Sequence, residues 1–71
     1  MKKYIVVKHN LMRNQKFYKI HKTADSWSLD KGQAHKFRFR RTAEKIAKAK
    51  TAMMPESLRN FIVEYLVEEV E

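Results

Sequence analysis

The chain has 71 residues, with 16 Lys+Arg against 8 Asp+Glu, a formal net charge of +8 and no cysteine. That length holds one small domain and leaves no room for a second lobe, a lid or a deep buried pocket. Without cysteine there are no disulfides, thiolate nucleophiles, iron–sulfur clusters or Cys-based zinc sites, so a disulfide-stapled secreted miniprotein is excluded. Hydrophobic residues make up 44% of the chain, which is the composition of a folded domain rather than a basic disordered tail.

In chain order, Met1-Lys2-Lys3 precedes the apolar run Tyr4-Ile5-Val6-Val7, which stops at Lys8. The run is too short for a signal peptide, and no stretch approaches the length of a membrane helix. The expectation is a soluble cytoplasmic protein with no membrane partner. Tyr4–Lys8 is β-branched and aromatic and reads as a strand. Lys16–Lys22 reads as a second strand. Asn10 and Asn14, which tolerate left-handed backbone, place a hairpin loop between them over His9–Gln15. Either Ile5 and Val7 or Tyr4 and Val6 could share a face with Tyr18 and Ile20.

Thr23–Lys31 is a polar connector in which Trp27 is expected to fold back over the core edge. Gly32 follows Asp30-Lys31 and is expected to take a positive φ at a turn. Ala34–Arg40 alternates Phe37 and Phe39 with Lys36, Arg38 and Arg40, the period-2 signature of a third strand. Arg41–Met53 is the clearest helix, with Ala43, Ala47, Ala49 and Ala52 as strong helix formers and Pro55 as its stop. Thr42 is its expected N-cap, with Glu44 in the first turn. Ala43, Ile46, Ala47 and one of Met53 or Met54 form its apolar stripe. In the last segment Phe61, Val63, Tyr65 and Val67 alternate with Ile62, Glu64, Leu66 and Glu68. A helix is an alternative there, through Leu58, Phe61, Ile62, Tyr65 and Leu66. The alternation and the valines favour a strand. The expected fold is α+β: a small antiparallel sheet of order β-β-β-α-β in sequence, with one helix packed on one face.

Charge is unevenly distributed along the chain. Residues 1–50 hold 15 basic and 3 acidic side chains, whereas residues 51–71 hold Arg59 against Glu56, Glu64, Glu68, Glu69 and Glu71, so a net of +12 precedes a net of −4. The acidic end could lie against the basic body and screen part of it, or each end could face its own partner.

Catalytic chemistry is scarce. His9, His21 and His35 have no metal-ligand spacing, no Gly-flanked nucleophile turn occurs, and a single Gly precludes a phosphate-cradling loop. Glu68-Glu69, the only adjacent carboxylates, lie in the acidic end, where a solubilising role is the simpler reading. The expectation is a non-enzymatic protein with no cofactor, metal or small-molecule substrate. Binding chemistry is richer. Lys36, Arg38, Arg40 and Arg41, continued by Lys45 and Lys48, form the candidate surface for nucleic acid or for an acidic protein surface. On a strand, Lys36, Arg38 and Arg40 would project from one face about 7 Å apart. Phe37 and Phe39 could stack bases if exposed, but in a domain this small both are most simply core. Leu11, Met12 and Arg13 at the hairpin loop, together with Trp27, are candidates for a protein interface.

Tyr4-Ile5-Val6-Val7-Lys8, Phe17-Tyr18, Trp27, Ala34 with Phe37, and Ala43 with Ile46-Ala47 together resemble a pattern in small uncharacterised accessory proteins of tailed bacteriophages. There, two strands, a Trp connector, an Ala-x-x-Phe strand and an Ala-rich helix precede a final strand. The resemblance implies a non-enzymatic accessory protein made in the host cytoplasm, some of whose kind inhibit host or defence machinery. It carries no functional residues across, and the polar hairpin loop and the Arg38–Arg41 run lie outside the pattern. The reading is therefore a small basic binding protein of phage type that engages a nucleic-acid-handling host protein or its nucleic acid. The alternative is a protein-only binder or homodimer acting through the edge strand Phe61–Val70 or through Leu11–Met12.

Overall fold

A computed structural model describes residues 2–55, 57 and 62–71. It contains β1 (Lys3–Asn10), β2 (Gln15–Lys19), β3 (Trp27–Ser28), a 3-10 turn at Lys31–Gln33, α1 (Arg40–Met53) and β4 (Val63–Val70). The strands form one sheet of order β3-β2-β1-β4, antiparallel throughout. This is the expected α+β fold with a helix on the sheet. Leu58 and Phe61, cited for the last segment, lie outside the described residues, and the strand begins at Val63.

Three consecutive residues of β1, Ile5, Val6 and Val7, are at most 1% exposed. Side chains alternate across a strand, so a run buried without interruption needs cover on both faces. On one face Val6 packs with Phe37, Ala43 and Ala47, joined by Tyr4, Trp27, Ile46, Tyr65 and Val67. On the other, Ile5 and Val7 pack with Ala34, Tyr18, Leu66 and Val70. The helix covers the first face, and its alanines admit close approach: Ala43 is fully buried. The connector after β3 crosses the second face and brings Ala34 over Ile5 and Val7. Each large apolar side chain buried in this way contributes about 1.5–3 kcal/mol.

Register resolves the two hairpin faces. Val7 stands opposite Tyr18, so Tyr18 belongs with Ile5 and Val7, away from the helix. Asn14 takes the left-handed conformation at φ 51°, and the Asn10 side chain caps the turn by accepting from the Met12 and Arg13 N–H groups at 3.1 and 3.2 Å. β2 ends at Lys19 rather than Lys22, because the Ile20 N–H turns to the Ser26 carbonyl at 3.1 Å.

Several expectations fail locally. The third strand is Trp27–Ser28, not Ala34–Arg40, and the latter segment joins the sheet at a single bridge between Phe37 and Tyr4. There the Tyr4 N–H donates to the Phe37 carbonyl at 2.9 Å and the Phe37 N–H to the Tyr4 carbonyl at 2.7 Å. β2 pairs only with Val7–Asn10, and Phe37 occupies the flank of β1 beyond it. Gly32 has no positive φ. It lies in the 3-10 turn, where its N–H donates to Asp30 Oδ1 at 2.9 Å. The helix starts at Arg40 with Phe39 as N-cap, so Thr42 is already inside it and Glu44 lies beyond the first turn. Met53 is 77% exposed and plays no part in the apolar stripe. Met54 is extended at φ −82° and ψ 145°, as the residue before Pro55 prefers. No helix among the described residues is long and apolar enough to cross a membrane.

Candidate functional site

The acidic end does lie against the basic body, but only against one part of it. β4 pairs along the whole of β1, and its carboxylates find partners nearby. Glu68 binds Lys31 Nζ and Lys16 Nζ, both at 3.2 Å, one through each carboxylate oxygen. Burial alone would raise the Glu68 pKa, but the two ammonium groups outweigh it and hold the carboxyl below its ordinary value. Glu69 lies 3.8 Å from Lys2 Nζ, and Glu64 lies 3.6 Å from His9 Nδ1. By register Glu64, Glu68, His9 and Lys16 all sit on the sheet face opposite the helix.

The candidate basic residues lie elsewhere. Lys36, Arg38, Arg40, Arg41, Lys45 and Lys48 are all exposed. Of these six, only Arg40 has an ion pair among the described residues, with Glu44 at 2.8 Å. Lys36, Arg38 and Arg40 were expected to point from one strand face in a row, but that segment is a connector and Arg40 opens α1. Arg41, Lys45 and Lys48 fall at i, i+4 and i+7 of α1, one stripe on the face away from buried Ala43 and Ala47. Lys36 and Arg38 flank Phe37 on the connector leading into that helix. The row predicted on a strand is thus a connector pair, Lys36 and Arg38, with Arg40 as the first residue of the helix that carries Arg41, Lys45 and Lys48.

The start of α1 breaks the usual local rules. Its N-cap Phe39 makes no side-chain cap hydrogen bond, its first turn holds no acid, and Arg40 and Arg41 place positive charge at the positive end of the helix dipole. Each such cation costs a few tenths of a kcal/mol, up to about 1 kcal/mol. The two phenylalanines part company here. Phe37 is 3% exposed and forms core, as expected, whereas Phe39 is 62% exposed. The chain leaves the extended conformation at Arg40, so the second aromatic of the alternating pattern has no sheet face to sit on. The Arg38 guanidinium lies 5.4 Å from the Phe39 ring centroid.

The other candidates are scattered. Met12 is 76% exposed and Arg13 is exposed, but Leu11 is half-buried and its N–H donates to the Ile62 carbonyl at 2.8 Å. Trp27 is no free interface residue. Its ring packs on the helix-side core, 5.9 Å from Tyr65, and its Nε1–H donates to Asp25 Oδ1 at 2.7 Å. His21 is exposed, and His35 stacks edge-on against Phe37 at 4.6 Å. No group of three or more His, Asp or Glu able to hold a metal occurs among the described residues.

Sequence reading missed one polar cluster around Trp27. Lys19 is 3% exposed, donates to the Ala24 carbonyl at 2.7 Å and lies 5.8 Å from the Trp27 ring centroid, with Lys8 at 5.9 Å. Burial lowers the Lys19 pKa, opposed by Asp25 and assisted by the charge of Lys50. Lys50 Nζ meets Asp25 Oδ1 at 2.8 Å, and that bond together with the indole N–H holds the Asp25 carboxyl below its ordinary value. Burial raises the Tyr65 pKa. Through the Lys50–Asp25, Trp27–Asp25 and Lys19–Ala24 contacts, this cluster fastens the end of α1 and the 21–26 connector to the sheet. The sequence signal for it is faint: Asp25 two residues before Trp27.

A search of known protein families, of curated proteins and of solved structures finds no match to this chain.

Proposed function

We propose that the protein is a small non-enzymatic binding module whose face formed by Lys36, Arg38, Arg41, Lys45 and Lys48 engages the phosphate backbone of nucleic acid. One observation carries this reading: Glu68 of β4 neutralises Lys16 and Lys31 on the sheet face away from the helix, and these five stay exposed and without an ion pair among the described residues. The net charge of +8 lies at the top of the range of about 2–8 that serves solubility in a small domain, so the total charge does not argue for a partner; the gathering of unpaired cations does. The poorly started helix supports the same reading, because a sequence selected for stability alone would not place Arg40 and Arg41 there. An acidic surface on a nucleic-acid-handling protein would satisfy the same charges, and a phage-type accessory role in a host cytoplasm is compatible with either.

The test is fluorescence anisotropy with labelled DNA and RNA over about 50–300 mM salt, where log affinity should fall linearly with log salt. Absence of binding to either nucleic acid at the lowest salt, or binding indifferent to salt, overturns the proposal. Self-association through β4 is the second reading, since that strand forms one edge of the sheet. Glu64, Glu68 and Glu69 work against pairing between two copies of it. Light scattering showing a concentration-independent monomer removes that reading.

A further inference from the structure

We infer that Phe39 is a stacking platform for an unpaired nucleobase, so that the basic face prefers single-stranded nucleic acid to duplex. This rests on the reading above and narrows it to one ligand class. Phe39 is a large aromatic residue with 62% of its surface in solvent, in a chain whose other described aromatic side chains are buried or half-buried. Its backbone is fixed on both sides. Phe37, two residues earlier, is anchored in the core and bonded to Tyr4, and the Phe39 carbonyl accepts from the N–H groups of Thr42 and Ala43 at 3.2 and 3.4 Å. The ring is therefore presented from rigid backbone rather than from a loose loop, which limits the entropy lost when a ligand docks.

The surroundings of the ring match a nucleotide. Two shallow clefts, of about 490 and 310 Å³, share Phe39 as a wall. Arg40 and Arg41 line one, and Lys22, Lys36 and Arg38 line the other. A base stacked on the ring would thus have cations on both sides, where the phosphates preceding and following its sugar must go. The Arg38 guanidinium lies over one face of the ring, 5.4 Å from its centroid, so a base stacks on the other face or takes the guanidinium's place. Duplex bases are already stacked and paired and cannot use the ring without being unstacked, whereas every unpaired base has an available π face. An exposed aromatic alone would equally suit a protein partner; cations on both flanks favour the single strand.

The full chain is titrated by anisotropy with one labelled single-stranded oligonucleotide and with its duplex, using wild type, Phe39→Ala, Phe39→Leu and Phe39→Trp. Expected is tighter binding of the single strand by wild type, and a loss of about tenfold in single-strand affinity for the Ala and Leu variants with the salt slope unchanged. The Trp variant should retain affinity and gain a quenchable fluorescence. Because Phe39 is exposed, these variants should melt like wild type, which circular dichroism checks. If wild type binds single strand and duplex alike, or if Phe39→Ala and Phe39→Leu match wild type, the inference falls while phosphate binding stands. If the variants lose equal affinity for both forms, selectivity through Phe39 falls as well. If wild type binds no nucleic acid, the functional reading fails and takes this inference with it.

Discussion

On the sheet face away from the helix, Glu64 and Glu68 of β4 each lie within 3.6 Å of a basic side chain, and Glu68 holds two. On the connector and α1, Lys36, Arg38, Arg41, Lys45 and Lys48 stand in solvent, and only their neighbour Arg40 is paired. Both regions come from a chain with twice as many basic as acidic residues, so the contrast is one of placement rather than composition. Carboxylates on a strand reach side chains that share their sheet face, even one strand further on, and what crosses that face. β4 is hydrogen-bonded to β1 and so serves Lys2, His9, Lys16 and Lys31, leaving the connector and the outer face of α1 beyond its reach. Charge used inside the fold contributes to stability, and charge left outside it is available to a partner.

Two double substitutions with the same change in net charge put that contrast to its strongest test. Arg38→Glu with Arg41→Glu should reduce oligonucleotide affinity by about 100-fold or more near 50 mM salt and leave the melting temperature nearly unchanged. Lys16→Glu with Lys31→Glu should do the reverse. It sets two carboxylates against Glu68 and should cost about 1–2 kcal/mol of stability in urea titration, with a much smaller loss of affinity. Equal losses of affinity from both pairs would show that only total charge matters and would erase the distinction between the two faces.

Lys19 sharpens the comparison from within, as a cation used wholly by the fold. Lys19→Ala removes the hydrogen bond to the Ala24 carbonyl and the aliphatic stem beside Trp27, and should cost about 1–2 kcal/mol. Oligonucleotide affinity at a temperature where the variant remains folded should not change. Glu68→Gln should cost less, about 1 kcal/mol near neutral pH. The folded-state pKa of Glu68 lies below its unfolded value. Its contribution is therefore complete above the unfolded value and is lost as pH falls through the folded one. Urea titrations at about pH 6 and about pH 3 should accordingly show a smaller drop for Glu68→Gln than for wild type. The smallest effect belongs to Arg40→Ala, which removes one exposed i, i+4 pair. It should change stability by less than about 0.5 kcal/mol, and affinity by less than either Arg38→Ala or Arg41→Ala does.

Much of this architecture was legible in the sequence, and the exceptions share a cause. β1, β2, α1 and β4 announce themselves through local pattern: β-branched runs, alternation, alanine content and a closing proline. The third strand misled because Phe37 and Phe39 share a pattern but not an environment. Phe37 reaches the core through one bridge to Tyr4, and the helix begins before Phe39 can follow it. The placement of Lys36, Arg38 and Arg40 was not readable, because it depends on whether Ala34–Arg40 pairs as a strand or only bridges the sheet at Phe37. Buried Lys19 was invisible for a related reason. Its acceptor, the Ala24 carbonyl, is supplied by a connector whose path no periodicity encodes.

The pairing of β1 with β4 has a consequence for how the domain comes into being. Lys3 stands opposite Val70, so the central strand acquires one of its two neighbours only from nearly the far end of the chain. Contacts this distant in sequence form late and slow folding relative to local ones. During synthesis the hairpin and α1 emerge well before Glu64, Glu68 and Glu69. Until those carboxylates arrive, Lys2, Lys16 and Lys31 lack their partners in β4, and residues 1–50 carry a net charge of +12. The division into a neutralised side and an open one is therefore the last feature of the molecule to form.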